Sequence, residues 1–319
     1  MQFATLGQSD LRISRVCFGA WAMGGVGWGQ VEDAESITAA RAAFDLGINF
    51  FDTADMYGDG HSERVLGKAI AGFRDDVVIA TKAGRRYTPE GKPVTDGRPE
   101  WLKQAIDHSL KRLGTDHVDL YQLHWPDPEV PIEDSVGALR QIRDAGKARH
   151  IGVCNCNIGQ LAAAQKACRI VSNQVPVNML YREYLGEALP YCHGRGIGVM
   201  GYGTLAQGLL TGKFGPHSRF AADDVRANSP LFAQDRFGAN LELVEGLRPI
   251  ARRLGRSLAQ VAVSWALSNV GLTSAICGAK RPSQIQDAAG GLGWALSDDD
   301  LARIGELLPP SCPSPRPLS

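Results

Sequence analysis

From residue 16 onward, short apolar runs alternate with stretches whose apolar residues recur at helical spacing. The runs are brief and rich in β-branched or aromatic residues, which is typical of buried parallel strands. They read VCFGAW, INFFDT, DVVIATK, DLYQLH, RHIGVC, IVSNQ, GIGVMGY and TSAICG. Eight alternations of strand and helix predict an α/β fold, a closed (β/α)8 TIM barrel with right-handed crossovers.

The segments between the runs predict nine helices, over residues 33–46, 63–71, 99–112, 132–145, 158–166, 187–195, 241–254, 258–267 and 282–289. Asp33 and Ser62 are predicted N-caps, and Pro99 suits a first helical turn. Four glycines follow predicted helix ends, where a left-handed residue is favoured: Gly47, Gly114, Gly146 and Gly255.

Three segments depart from the alternation. Residues 1–13, with QFATLG and LRISR around a polar turn, predict a short hairpin that caps one end of the barrel. Residues 203–238 predict a long loop after the seventh strand, and such loops often bind ligands. The tail, residues 309–319, has no periodicity and is predicted to be flexible. We therefore expect a single barrel domain spanning residues 1–319.

Composition limits the possible partners. The 34 basic and 34 acidic residues of this 319-residue chain cancel, and no Lys/Arg stripe is present to bind nucleic acid or an anionic membrane. No apolar run approaches the roughly 18 residues that a membrane span requires, and the N-terminus lacks a signal peptide pattern. Seven scattered cysteines fit reduced thiols better than a disulfide framework. We expect a cytoplasmic monomer that acts on a small molecule.

Four polar residues lie where predicted strands end. Asp52 closes INFFD, Tyr57 follows five residues later, Lys82 ends DVVIATK and His124 ends DLYQLH. A parallel barrel gathers the side chains at its C-terminal strand ends into one place. An Asp–Lys pair can be only a structural ion pair, and a lone histidine can be a structural residue. All four at neighbouring strand ends favour a catalytic site.

These residue types fit the delivery of a proton to an oxygen atom. A tyrosine keeps its proton at neutral pH, since its usual pKa is about 10. An ammonium beside Tyr57 stabilises the phenolate, so we expect Lys82 to lower the pKa of Tyr57 while Asp52 orients Lys82. His124 is then available to hydrogen-bond a carbonyl oxygen. Reduction of a carbonyl by hydride from a cofactor fits this set, with Tyr57 as general acid.

Long motifs in the chain closely resemble the aldo-keto reductases. They are FDTADMYGDGHSERVLGKAI, ATK and LYQLHWPDPEVPIEDSVGALRQIRDAGKARHIGVCN, and the likeness covers nearly the whole chain. YGTLAQGLLTGK, DDVRANSPLF and CGAKRPSQIQD resemble the bacterial branch with general-stress-type and inositol-operon reductases. The resemblance implies that Tyr57 is the proton donor, that Lys82 and Asp52 adjust the pKa of Tyr57, and that His124 orients the carbonyl. It implies NADPH as cofactor, bound extended without a Rossmann fold.

The resemblance also assigns the cofactor contacts. Asn155 and Gln174 would hydrogen-bond the nicotinamide carboxamide, and Tyr202 would stack on its ring. The remaining assigned residues are Ala20, Trp21, Asp52, Gly203, Leu205, Gln207, Gly208, Lys213, Arg226, Gly278, Lys280, Gln284 and Asp287. Lys280 near the 2′-phosphate favours NADPH over NADH, because that phosphate needs cationic partners; Arg281 is a weaker candidate there.

Some positions depart from the family pattern. Cys154 precedes Asn155 where the family commonly has serine, which weakens or replaces one carboxamide contact. Gly203 follows Tyr202 where the family commonly has serine, so a hydroxyl is lost while the ring stays. The predicted substrate contacts are Trp21, Met56, Tyr57, His124 and Trp125, all near the barrel mouth.

Other interpretations compete with the reductase. Residues 196–201 match G-x-G-x-x-G but do not open a helix, so they do not predict a Rossmann site. Cys154 and Cys156 lack the further ligand pair of a zinc site, so no metal is expected. A cofactor-sensing regulatory subunit, as in the potassium-channel β subunits that resemble this family, is the main alternative. A barrel enzyme using pyridoxal phosphate through Lys82 is a third.

Overall fold

Eight parallel strands close into a barrel in the computed structural model, which describes residues 1–315. In order around the barrel they are β3 (Val16–Gly19), β4 (Phe50–Asp52), β5 (Val78–Ala83), β8 (Val118–Leu123), β9 (Ala148–Cys154), β10 (Ser172–Pro176), β11 (Gly198–Tyr202) and β12 (Leu272–Gly278). The last strand pairs with the first, Ala275 opposite Val16. Each predicted apolar run supplies one strand, so the predicted (β/α)8 barrel is confirmed.

Eleven α-helices lie in the described residues and surround these strands: α1 (Asp33–Asp45), α2 (His61–Ile70), α3 (Pro99–Leu113), α4 (Ile132–Asp144), α5 (Ile158–Ala167), α6 (Glu183–Gly186), α7 (Ala188–Gly194), α8 (Gln234–Leu254), α9 (Leu258–Ser268), α10 (Pro282–Ala289) and α11 (Asp298–Leu307). All nine predicted helices are present. Helix α8 begins at Gln234 rather than at residue 241, and the sequence pattern did not predict α6 or α11.

The two predicted N-caps are wrong by one or two positions. Asp33 is the first residue of α1, and Glu32 is the N-cap. Gly60 precedes α2 in a left-handed conformation, so Ser62 lies inside that helix. The Ser62 hydroxyl instead donates to the Ala20 carbonyl at 2.7 Å. The four glycines after helix ends all have positive φ, as predicted.

An N-terminal hairpin closes one end of the barrel. Strands β1 (Phe3–Thr5) and β2 (Arg12–Ser14) pair antiparallel. Leu6 and Leu11 from this hairpin pack against Phe50 and Met200 inside the barrel. Gly7 has a φ of +54°, and a Cβ there would lie 2.4 Å from the Val171 carbonyl oxygen. The predicted cap is therefore confirmed, at the end where the strands begin.

The opposite end, where the strands finish, carries the long connections. A second hairpin, which the sequence pattern did not predict, follows β5 and consists of β6 (Arg85–Tyr87) and β7 (Pro93–Thr95). The predicted loop after β11 ends at residue 233 and contains two 3-10 turns, Ala206–Thr211 and Pro230–Phe232. It reaches the glycine-rich segment after β3, where the Val225 amide donates to the Gly27 carbonyl at 2.9 Å.

The first part of the predicted flexible tail contacts the barrel. Cys312 is 2% exposed, and its amide donates to the Leu180 carbonyl at 2.8 Å. Residues 316–319 lie outside the described residues, so flexibility of the whole tail stays a prediction. None of the helices in residues 1–315 is long and apolar enough to cross a bilayer. All seven cysteines are free thiols.

Candidate active site

A buried ion pair joins the ends of β4 and β5. Lys82 is completely buried, and its ammonium donates to Asp52 Oδ2 at 2.7 Å and to the Thr53 carbonyl at 2.8 Å. The second carboxylate oxygen of Asp52 accepts from Gln174 Nε2 at 2.8 Å. A buried pair persists only when such additional hydrogen bonds satisfy both ions. Gln174 thus contacts Asp52 here, and its predicted cofactor role stays a prediction.

Tyr57 and His124 stand above this pair. The Lys82 ammonium lies 3.4 Å from the Tyr57 hydroxyl. The Tyr57 and His124 rings meet edge to face, 5.8 Å between centroids, and the His124 amide donates to the Ala83 carbonyl at 2.7 Å. The structure therefore brings the four predicted catalytic residues together at the barrel mouth. Their chemical roles stay predictions.

Burial sets the protonation of Tyr57 and His124. Burial raises the pKa of Tyr57 to about 12, although the Lys82 ammonium acts in the lowering direction. Lys82 therefore acts on the Tyr57 pKa in the predicted direction, but the loss of solvent outweighs the ammonium and the net shift is upward. Burial also lowers the pKa of His124 well below its usual range, helped by the charges of Lys82 and Arg85. Tyr57 is protonated and His124 is neutral near pH 7.

Asn155 and Tyr202 are joined at the ends of β9 and β11. Tyr202 donates its hydroxyl hydrogen to Asn155 Oδ1 at 3.0 Å, and Asn155 Nδ2 donates to the His124 carbonyl at 3.1 Å. Asn155 adopts a φ of +58°, which is uncommon for a residue other than glycine. The Tyr184 hydroxyl also donates to the Asn155 carbonyl, at 3.3 Å, a contact the sequence did not reveal. Cys154 beside them is 1% exposed.

Three cations face one another across the loops at the mouth. The Lys213 ammonium and the Arg226 guanidinium lie 5.0 Å and 5.6 Å from the Phe214 ring centroid, and burial together with the charges of Arg226 and Lys280 lowers the pKa of Lys213. Arg226 Nε donates to Asp224 Oδ1 at 2.7 Å, and Asp224 was not among the predicted residues. The Arg226 guanidinium lies 5.7 Å from the Trp28 ring centroid and the Lys280 ammonium 5.9 Å from it. Lys280 also donates to the Trp28 carbonyl.

This cation cluster, Lys213, Arg226 and Lys280, fits the phosphates of a dinucleotide. Three cations beside one carboxylate leave an excess of positive charge for an anion. The Gln207 Oε1 atom is buried and has no hydrogen-bond partner in residues 1–315. Gly208 has a φ of +90°, a conformation that favours glycine, and a Cβ there would lie 2.8 Å from Lys213 Cε and displace the end of that side chain.

The other predicted cofactor residues lie at or near the strand ends, and several of them form hydrogen bonds within the protein. The Ala20 amide donates to the Asp52 carbonyl at 2.8 Å, Leu205 precedes the Ala206–Thr211 turn, Gly203 has a φ of +68°, and Gly278 ends β12. Gln284 Oε1 accepts from the Lys280 amide at 2.7 Å. Asp287 Oδ1 accepts from Ser257 Oγ at 2.6 Å and from Gln260 Nε2 at 3.1 Å. Both side chains are thus engaged within the protein.

Aromatic side chains form one wall of the mouth. Trp21 is 40% exposed and lies stacked near Tyr57, with 6.0 Å between ring centroids. Trp28 meets Trp21 edge to face at 5.0 Å. Met56 and Trp125 are half-buried next to Tyr57 and His124 in sequence. Trp21 and Trp28 therefore lie beside Tyr57, and the predicted substrate contacts stay predictions. Residues 1–315 contain no group of three or more His, Cys, Asp or Glu side chains arranged to hold a metal.

Comparison with known proteins identifies the family. The sequence model of the Aldo/keto reductase family matches residues 15–309, and the chain belongs to this family. It is thus an oxidoreductase of the kind that reduces carbonyls with a nicotinamide cofactor. It is 38% identical over 311 residues to Aldo-keto reductase YhdN of Bacillus subtilis (strain 168), covering 97% of this chain and 94% of that protein. The solved structure of the glycerol dehydrogenase AKR11B4 from Gluconobacter oxydans is similar, with a TM-score of 0.89, 34% identity, and coverage of 96% of this chain and 94% of that one.

Two further relatives have names that state a different cofactor and a different biological role from the predicted ones. The NADH-specific methylglyoxal reductase of Escherichia coli (strain K12) is 31% identical, covering 96% of this chain and 98% of that protein. A probable voltage-gated potassium channel subunit beta of Arabidopsis thaliana is 35% identical, covering 90% of each chain. Membership of the family therefore leaves the choice of nicotinamide cofactor and the biological role open.

Proposed function

We propose that this protein reduces an aldehyde or ketone to the alcohol with NADPH, and that Tyr57 is the general acid. One observation carries the proposal. The Lys82 ammonium lies between Asp52 Oδ2, at 2.7 Å, and the Tyr57 hydroxyl, at 3.4 Å, where the barrel strands end. A phenol held beside a buried, paired ammonium is suited to give up its proton and to leave a stabilised phenolate.

In the proposed reaction, His124, Tyr57, Lys82 and Asp52 each have a different role. When bound, the reduced nicotinamide supplies hydride to the carbonyl carbon of the substrate. The neutral His124 ring donates a hydrogen bond to the carbonyl oxygen and orients it. Tyr57 transfers its proton to the same oxygen as negative charge develops there. Lys82 stabilises the remaining phenolate, and Asp52 keeps Lys82 in place. The reverse sequence oxidises the alcohol.

A direct assay tests this function. Purified protein should oxidise NADPH only when an aldehyde is present, with kcat in the range of about 1–10³ s⁻¹ that is typical of enzymes. Absorbance of NADPH at its long-wavelength band measures the rate across sugars, aromatic aldehydes and dicarbonyls. A protein that binds NADPH tightly but turns over none of these compounds would instead support a cofactor-sensing subunit, the second candidate, which the similarity to the potassium channel relative favours.

The preference for NADPH rests on the cation cluster. Lys280→Gln removes a cation that we assign to the 2′-phosphate, and a charged hydrogen bond lost there weakens binding about 10- to 100-fold. We expect the Kd for NADPH to rise by this factor and the Kd for NADH to change by less than about threefold, since NADH lacks that phosphate. Fluorescence titration of both cofactors measures the two constants.

Lys166→Gln is the matched control for this substitution, because Lys166 is exposed on α5 and belongs to no part of the site. Equal weakening of both cofactors by Lys280→Gln would contradict the assignment of Lys280 to the 2′-phosphate. A wild-type protein that binds NADH as tightly as NADPH would contradict the preference itself. The name of the Escherichia coli relative makes this comparison necessary.

We also propose that the protein works as a cytoplasmic monomer on a small carbonyl compound, without a nucleic acid or membrane partner. Its seven free thiols and its balanced charge support this setting. Lys82 as a covalent anchor for pyridoxal phosphate is disfavoured, because its ammonium already makes two short hydrogen bonds to Asp52 and Thr53.

A further inference from the structure

Tyr184 contacts the predicted cofactor site although the proposed reduction gives it no role. It lies on α6, the short helix after β10, and its hydroxyl donates to the Asn155 carbonyl at 3.3 Å. Its partly buried ring packs against the main hydrophobic core of the protein. The hydroxyl of Tyr184 is thus held on a fixed ring, directly behind one of the residues predicted to bind the cofactor.

The backbone of Asn155 has a conformation that depends on its neighbours. Its φ of +58° lies in the left-handed region, and such residues persist where the surrounding structure holds them. The Asn155 amide donates to the Gln174 carbonyl at 2.8 Å, and the Asn155 carbonyl accepts from Tyr184. One main-chain group of Asn155 is therefore held by the next strand of the barrel and the other by α6.

The side chain of Asn155 keeps part of its hydrogen-bonding capacity. Asn155 is 8% exposed, its Oδ1 accepts from the Tyr202 hydroxyl at 3.0 Å, and its Nδ2 donates to the His124 carbonyl at 3.1 Å. An asparagine amide has two N–H donors and two acceptor lone pairs, so these bonds within residues 1–315 leave one of each. The remaining donor and lone pair match the carboxamide that we predict Asn155 to bind.

The segment that carries Tyr184 is itself tied to two distant parts of the chain. Arg182, just before α6, donates from Nη2 to the Pro309 carbonyl at 2.7 Å. Asn178 Nδ2, from the same segment, donates to the Gly203 carbonyl at 2.8 Å, beside the end of β11. These bonds fix α6 between the C-terminal part of the chain and the barrel mouth, so the position of Tyr184 is set independently of Asn155.

We propose that Tyr184 is a positioning residue for the nicotinamide end of the cofactor, which acts by holding Asn155 in the conformation from which its side chain binds the carboxamide. The inference rests on the proposed function, since it requires a nicotinamide cofactor at this end of the barrel. Tyr184 touches no reacting atom in this proposal, so its loss affects cofactor binding only through Asn155.

The test compares two ligands that share the adenosine phosphates and differ in the nicotinamide, NADP⁺ and 2′,5′-ADP. Tyr184→Phe removes the hydroxyl and keeps the ring that packs against the core. We expect this variant to raise the Kd for NADP⁺ by about 3- to 10-fold, the effect of losing one hydrogen bond between neutral groups, and to leave the Kd for 2′,5′-ADP within about 1.5-fold. Calorimetric titration of both ligands measures the constants.

Tyr191→Phe is the matched control for this comparison. It removes the same hydroxyl from a residue of α7 whose ring contacts Arg195. It should leave both dissociation constants at their wild-type values. A Tyr184→Phe variant that binds NADP⁺ as tightly as wild type would overturn the proposal. So would equal weakening of NADP⁺ and 2′,5′-ADP, because a general disturbance of the structure would affect both ligands.

A double-mutant cycle tests whether Tyr184 acts through Asn155. Asn155→Gly removes the side chain and tolerates the left-handed conformation. It should weaken NADP⁺ binding by itself, and adding Tyr184→Phe should then change the Kd for NADP⁺ by less than about 1.5-fold, since the side chain that Tyr184 positions is gone. Independent, multiplying effects of the two substitutions would overturn the proposal, as would an Asn155→Gly variant that binds NADP⁺ like wild type.

These binding measurements separate the inference from the proposed reduction. Absence of aldehyde-dependent NADPH oxidation by the wild-type protein would contradict the reductase, while the comparison of NADP⁺ with 2′,5′-ADP would still decide the role of Tyr184. A wild-type protein that binds NADP⁺ no more tightly than 2′,5′-ADP would show that the nicotinamide adds no affinity, and that result would overturn the role of Tyr184.

Discussion

Tyr57→Phe is expected to reduce kcat for carbonyl reduction by about 10²- to 10⁴-fold, the range by which a positioned general acid accelerates a reaction. The substitution removes one hydroxyl and keeps the ring that lies 6.0 Å from Trp21 and 5.8 Å from His124. The cation cluster lies elsewhere at the mouth, so the Kd for NADPH should stay within about twofold of the wild-type value.

Single-turnover reduction of one aldehyde and fluorescence titration with NADPH measure these two quantities separately. Tyr191→Phe serves as the control, because this substitution removes the same hydroxyl from a residue of α7 whose ring contacts Arg195 and which is not one of the predicted site residues. A Tyr57→Phe variant that keeps its turnover within tenfold of wild type would assign the proton to another donor. One that also loses NADPH binding would show a wider disturbance of the site.

Lys82→Met is expected to destabilise the protein as well as inactivate it. The substitution leaves the Asp52 carboxylate buried without its 2.7 Å partner, and breaking a buried pair in this way destabilises by about 3–5 kcal/mol. It also removes the cation that stabilises the Tyr57 phenolate in the proposed mechanism, so we expect kcat to fall at least about 10²-fold. Urea unfolding and aldehyde-dependent NADPH oxidation measure the two effects.

A double variant separates stability from chemistry. Asp52→Asn with Lys82→Met removes both charges, which should restore much of the lost free energy of unfolding because no ion remains uncompensated. Activity should stay as low as in Lys82→Met, since the ammonium beside Tyr57 is still missing. Recovery of activity in the double variant would contradict the proposed role of Lys82. A Lys82→Met protein as stable as wild type would contradict the structural role of the pair.

The barrel could be predicted from the sequence because each strand is a short, continuous apolar run. The predicted catalytic cluster followed from the same fact, since the polar residue ending a run must lie at the mouth. Helix α11 escaped prediction because its first turn is the acidic SDDD, which has no apolar face of its own. Its start depends on Ser297 Oγ accepting a hydrogen bond from the Asp300 amide.

What the sequence could not supply are contacts between residues far apart along the chain. Asp287 forms hydrogen bonds with Ser257 and Gln260 at the start of α9, and nothing in the residues near Asp287 indicates that. Ser62 reaches back to the Ala20 carbonyl rather than capping its helix. The sign of the Tyr57 pKa shift likewise depended on how completely the assembled walls exclude water, a quantity that the residue types do not determine.

The indole of Trp28 contacts two of the three mutually repelling cations of the cluster. Arg226 and Lys280 both rest near its electron-rich face, while Asp224 supplies one counter-charge. An incoming phosphate must therefore compete with an aromatic surface that already shields these positive groups from one another. Under the proposed function, the affinity for the cofactor phosphates is then a difference between two attractions of these cations, one for phosphate and one for the Trp28 ring.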